Sequence, residues 1–126
     1  MPSFSKSSRE KLETCDGRLQ HLFNEVIKYV DCTVVCGRRG KDEQDAAFES
    51  GVSHVRWPNS KHNALPSLAV DICPYPIDWE DEARFIEFGC KVKEIAKRLE
   101  IKVSWGGDWA DTFKGKKDYP HWEVKA

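Results

Sequence analysis

Leu68-Ala-Val-Asp-Ile72 constrains this chain most, because a short apolar and β-branched run carries an ionisable residue at its centre. In an extended strand successive side chains alternate, so Leu68, Val70 and Ile72 share one face while Ala69, Asp71 and Cys73 share the other. His121-Trp-Glu-Val-Lys125 alternates in the same way and separates His121 and Glu123 from Trp122 and Val124. Two such strands can pack their apolar sides into a core while their polar sides meet in one cleft. We therefore expect an α+β fold in which a small, mainly antiparallel sheet carries the cleft and helices cover one face. At 126 residues the chain is long enough for one core, so residues 1–126 are expected to form a single domain.

The cleft would hold His62, Asp71 and His121. Zinc accepts imidazole nitrogen and carboxylate oxygen, and a hydrolytic site keeps three protein ligands and leaves a fourth position to water. A carboxylate is still wanted to take a proton from that water and hand it to the leaving amine, and Asp118, three residues before His121, is the candidate. Pro120 fixes its own φ and biases Tyr119 toward an extended conformation, which stiffens the Asp118–His121 spacer. Glu123 is expected to orient a ligand imidazole by accepting its second N–H. Spacing alone leaves open that these are ordinary satisfied polar residues, since no H-E-x-x-H is present.

The rest of the chain narrows the class. A net charge of −1 disfavours nucleic acid as the main partner. Cysteines 15, 32, 36, 73 and 90 form no C-x-x-C pair and are odd in number, which reads as small core residues in a chain made in a reducing compartment. No apolar run approaches the ~18 residues of a membrane span, and no signal peptide is evident at the N-terminus. Ser7-Ser-Arg-Glu10 reads as a capping box opening one long amphipathic helix through Val30, weakened near Gly17. A strand over Cys32–Cys36 should lead through Gly37–Gly40, which carries two arginines, into a short helix over Asp42–Ser50. After the 68–72 strand, a second helix should begin at Asp78 or Asp81 and bury Ala83, Phe85, Ile86, Gly89, Val92, Ile95, Ala96 and Leu99. A strand over Ile101–Trp105 should follow, with Trp105 and Trp109 flanking a Gly-Gly turn as a groove wall, although at least one of them is expected in the core. His54 is read as a wall residue rather than a fourth ligand, and Asp108 with Asp111 as a weak calcium candidate.

Three motifs in order give the chain a family resemblance. Ser60-x-His62 with Ala69-x-Asp71, then Asp118-x-x-His121-Trp122, and upstream Gly37-x-Arg39 with Gln44 five positions later, resemble the zinc D,D-peptidases that include D,D-dipeptidases and D,D-carboxypeptidases. The likeness is greatest to their phage endolysin branch, the L-alanyl-D-glutamate peptidases. It implies a Hedgehog/D,D-peptidase-like fold, zinc on His62, Asp71 and His121, and Asp118 as general base. It also implies that Arg39 stabilises an oxyanion or holds a substrate carboxylate, with Ser60, Gln44 and Trp122 contacting substrate or supporting the ligands. His62 and Asp71 lie nine positions apart where the dipeptidases have seven, Ser67 replaces a glycine, and the base is Asp rather than Glu. All three departures favour the endolysin branch. The implied activity is cleavage of the L-Ala–D-Glu bond of peptidoglycan stems by a monomer. It would be made in the host cytoplasm and reach the periplasm and cell wall with the help of a holin, without inserting in the membrane. A D-Ala-D-Ala carboxypeptidase and a non-catalytic zinc-stabilised binding module are the alternatives.

Overall fold

The structure, a computed structural model, describes residues 2–110 and 115–126. Strands β1 (Cys32–Cys36), β2 (Ala69–Pro74), β3 (Ser104–Trp105) and β4 (His121–Glu123) form one sheet in the order β1-β2-β4-β3. Every neighbouring pair is antiparallel. The expected α+β architecture with a small antiparallel sheet is what forms, and β2 and β4 lie side by side at its centre. Their register sets Asp71 opposite His121 and Val70 opposite Trp122. Directly opposed residues bring their Cβ atoms to about 5 Å, so the two polar side chains are forced to meet.

The apolar face follows from the same register. Val70, Ile72 and Trp122 join Leu19, Leu22, Phe23 and Val26 of α2 (Gly17–Val26) and Phe88, Val92, Ile95 and Ala96 of α4 (Glu82–Arg98) in one buried cluster. Asp81 caps α4 by accepting from the Arg84 N–H. Its buried stripe differs from the expected one at its N-terminal end: Phe88 is buried, whereas Ala83 and Ile86 face solvent.

Trp122 corrects a second expectation. The family resemblance implies contact with substrate or support of the ligands, yet Trp122 is fully buried on the core face, edge-on to Phe23 and stacked on Trp105 at 5.4 Å. Alternation along β4 dictates this, because His121 takes the opposite face.

The single N-terminal helix is instead two, α1 (Lys6–Leu12) and α2. Between them the backbone leaves the helix to pair with Ser67: the Ser67 N–H donates to Thr14 O, and the Asp16 N–H donates to Ser67 O. Asp16 then caps α2 through the Arg18 N–H, and Gly17 becomes the first residue of a new helix. A long-range pairing overrides a local periodicity here. Ser8 of α1 is buried and its hydroxyl accepts the Val34 N–H, satisfying a donor on edge strand β1. Helix α3 (Lys41–Glu49) matches its expected position, whereas the 101–105 strand shrinks to two residues. Cys15, Cys32 and Cys73 are buried, but Cys90 is exposed and Cys36 only partly covered; all five are free thiols.

Candidate active site

His62 is placed by the turn in which it sits. Ser60, Lys61, His62 and Asn63 form a capped 3-10 turn, with the Ser60 hydroxyl accepting the His62 N–H and the Asn63 side-chain oxygen accepting the Ser60 N–H. The Gly37–Gly40 bend closes on it from the other side, as the Arg39 N–H donates to His62 O and His62 Nδ1 lies 2.8 Å from Gly37 O. A carbonyl only accepts, so Nδ1 carries the proton and Nε2 is left to face the cleft.

His121 is held in the mirror sense. Its Nε2 lies 2.8 Å from a Glu123 oxygen, so Nε2 donates and Nδ1 faces the cleft. Glu123 is in turn paired with Lys61 at 2.7 Å, which ties the neighbour of one histidine to the partner of the other. The two free ring nitrogens converge, since His62 Nε2 and His121 Nδ1 each lie 3.4 Å from Oδ1 of Asp71. Asp118 adds a carboxylate oxygen 3.8 Å from the same His121 Nδ1.

Arg39 reaches the site from the bend. Its guanidinium is 3.5 Å from Asp71 Oδ2 and donates to Gln44 Oε1 at 3.3 Å. Gln44 is fully buried and makes no approach to the cleft; it accepts from Asn63 as well as Arg39 and donates to Ser53 Oγ and Val55 O. Ser60 and Gln44 therefore act on the site through His62, Asn63 and Arg39. Asn63, Lys61 and the Gly37 carbonyl complete this frame and are absent from the motif reading. The Ser60-x-x-Asn63 cap is the signal that would have found the first.

Burial disfavours charge on every one of these groups, and their mutual hydrogen bonds reverse the outcome. Desolvation pulls His62 and His121 down, but bonds to Asp71, with Cys36 for His62 and Glu123 for His121, lift them to about 10 and about 9. Asp71 is pushed up by burial yet held well below the usual carboxylate range by the two histidines. Asp118 moves the other way: partial burial and the Asp71 charge raise it, against the downward pull of His121, His62 and His54. Positive charge on the two imidazoles and negative charge on Asp71 thus favour one another, and a divalent cation can supply the same positive charge in place of the protons.

The donor set fits such a cation. Cys36, His62 and Asp71 have ligand atoms within 4.8 Å of one another. Cys36 lies 3.9 Å from Nδ1 of His62, the nitrogen committed to Gly37, so the Nε2 side shared with Asp71 and His121 is the better-prepared pocket.

Of the remaining candidates, His54 is exposed on the rim. Trp105 is in the core, and Trp109 lies beside His121 at 5.2 Å with its indole N–H on Ser104 Oγ. Both Asp108 oxygens pair with Lys93, and Asp111 lies outside the described residues.

The chain is similar to several known proteins. Residues 2–123 match the family described as phage L-alanyl-D-glutamate peptidase. The L-alanyl-D-glutamate peptidase of Escherichia phage T5 is 30% identical over 111 residues, covering 84% of this chain and 80% of its own. The peptidoglycan L-alanyl-D-glutamate endopeptidase CwlK of Bacillus subtilis (strain 168) is 34% identical over 112 residues, covering 77% of this chain and 62% of its own. Among solved structures, the L-Ala D-Glu endopeptidase ChiX of Serratia marcescens superposes with a TM-score of 0.76 at 26% identity, covering 98% of this chain and 90% of that one. With a match over nearly its whole length, the chain belongs to the phage L-alanyl-D-glutamate peptidase family.

Proposed function

We propose that the chain is a zinc-dependent endopeptidase that hydrolyses the L-Ala–D-Glu bond of peptidoglycan stem peptides. The observation that carries this reading is the convergence of His62 Nε2 and His121 Nδ1 on one oxygen of Asp71, with the Asp118 carboxylate 3.8 Å from the same His121 nitrogen. His62, Asp71 and His121 would hold zinc, which when bound polarises the scissile carbonyl and lowers the pKa of water.

The other roles belong to side chains. Asp118 accepts the proton of the attacking water; water oxygen bonds to the L-Ala carbonyl carbon, the C–N bond breaks, and Asp118 returns the proton to the departing D-Glu amine. Burial and the Asp71 charge raise its pKa, which strengthens it as a proton acceptor. Arg39, anchored by Gln44 beside Asp71, offers its cationic edge to negative charge developing on oxygen. Lys61 and Glu123 hold the His121 ring at its angle.

No helix among the described residues is long and apolar enough to cross a membrane. In an endolysin role the chain would act as a monomer and reach the wall once a holin opens the membrane. The test is mass spectrometry of purified peptidoglycan digested by wild type, EDTA-treated protein and His121→Ala. Metal-dependent products with a free N-terminal D-Glu support the proposal. Release of terminal D-Ala alone would make it a carboxypeptidase, and no metal-dependent product would leave a binding module.

A further inference from the structure

The aromatic stack beneath β4 does not end in the core. From Trp105 it runs outward through Tyr119 at 6.1 Å, Phe85 at 6.0 Å and Trp79 at 6.1 Å, the last two contacts within 25° of parallel. Phe85 is buried, whereas Trp79 at the outer end is 53% exposed. A cleft of about 140 Å³ opens beside it, bordered by Glu82, Lys116, Lys117, Tyr119 and Pro120. Tyr119 and Pro120 are the two residues between Asp118 and His121, so this cleft and the hydrolytic site share a wall.

An indole held from behind by Phe85 and open to water in front gains little from its own burial and presents a fixed flat surface. The charged groups around it carry both signs: Glu82, Lys116 and Lys117 line the cleft, and Lys116 pairs with Glu80 at 3.4 Å. A rim of mixed sign sets up no single-sign field to draw in the carboxylates of a peptide stem. It suits an uncharged ligand rich in hydroxyls, such as a glycan whose amino groups are acetylated and whose lactyl carboxyl is consumed in the amide to L-Ala. That polymer is neutral, offers C–H faces to an aromatic ring and hydroxyl donors to carboxylates. The covalent chemistry keeps the sugar near the scissile bond, because only the lactyl group and L-Ala separate them and one extended residue spans about 3.5 Å.

We propose that the Trp79 cleft binds an N-acetylated sugar of the glycan strand, on the side of the scissile bond that carries L-Ala. The inference rests on the proposed reading for the bond, but its central test requires no hydrolysis. Full-length protein carrying Asp118→Ala is sedimented with glycan strands stripped of stem peptides by an amidase, alone and combined with Trp79→Ala or Trp79→Phe. Trp79→Ala should weaken binding by about tenfold and Trp79→Phe by much less, as expected for loss and retention of an aromatic anchor. In the active chain, Trp79→Ala should raise KM on whole sacculi while the loss is confined to that sugar-bearing substrate and absent from a free L-Ala–D-Glu peptide. A shift of the Trp79 indole N–H resonance on adding glycan to unsubstituted Trp79 supplies the same answer if the alanine variant folds poorly. Equal glycan binding by all variants, or no shift of that resonance, overturns the proposal. Cleavage at another bond would overturn the functional reading and leave the binding result standing.

Discussion

Between Ser60 and Asp71 the polar groups around the cleft are tied down several times over, whereas the Asp118 carboxylate is left with one side open. His62 is 2% exposed, and Ser60, Gly37, Arg39, Asn63 and Gln44 fix its turn through seven hydrogen bonds. Asp118 has a side chain 47% exposed and lies 3.8 Å from His121. What steadies it is backbone. A Cβ on Gly106 would collide with Asp118 O and lie 2.9 Å from Asp118 Cβ, and the Trp105 indole N–H donates to Tyr119 O at 2.7 Å. The contrast matches the two proposed tasks: metal ligands work by not moving, while a base must reach water and product.

The sharpest way to break the comparison is Asp118→Ala. If the open residue is the base and the rigid limb holds the metal, kcat should fall by about 10²–10⁴ with zinc stoichiometry unchanged by elemental analysis. Loss of zinc together with activity would erase the division. Gly106→Ala should come next, because the new methyl pushes the Asp118 backbone. A displacement of ~1 Å can cost ~10²-fold, read as a fall in kcat with metal content retained. Glu123→Gln tests the other support of this limb. It weakens the acceptor behind His121, and zinc affinity measured by chelator competition should drop by about 10- to 100-fold. On the rigid limb, Gln44→Ala removes four hydrogen bonds in a fully buried place. Urea unfolding should show a loss of about 1–3 kcal/mol for the groups left unpaired, with kcat reduced less than by either change at the open limb. A larger catalytic than structural effect would mean that Gln44 acts mainly by aiming Arg39.

Much of this arrangement was legible because it rests on local rules. Period-two alternation put Asp71 and His121 on one side of their strands, and the register then set them opposite each other. The same rule, applied consistently, also places Trp122 in the core, against the groove role that the motif suggested. Where local rules competed with distant partners they failed. The helical periodicity through Cys15 is broken by pairing with Ser67, some fifty residues away. Likewise Phe88, not Ile86, faces inward from α4.

The sequence by itself determined the donor types, their order and the alternation of the strands that carry them, since these depend on side-chain chemistry and backbone geometry within a few residues. Only the tertiary structure decided which ring nitrogen of each histidine faces the cleft, that Lys61 braces Glu123, and that Gly106 backs Asp118. Each is a contact between segments whose approach is fixed by packing a common core, and no residue announces such a contact from its own neighbours in the chain.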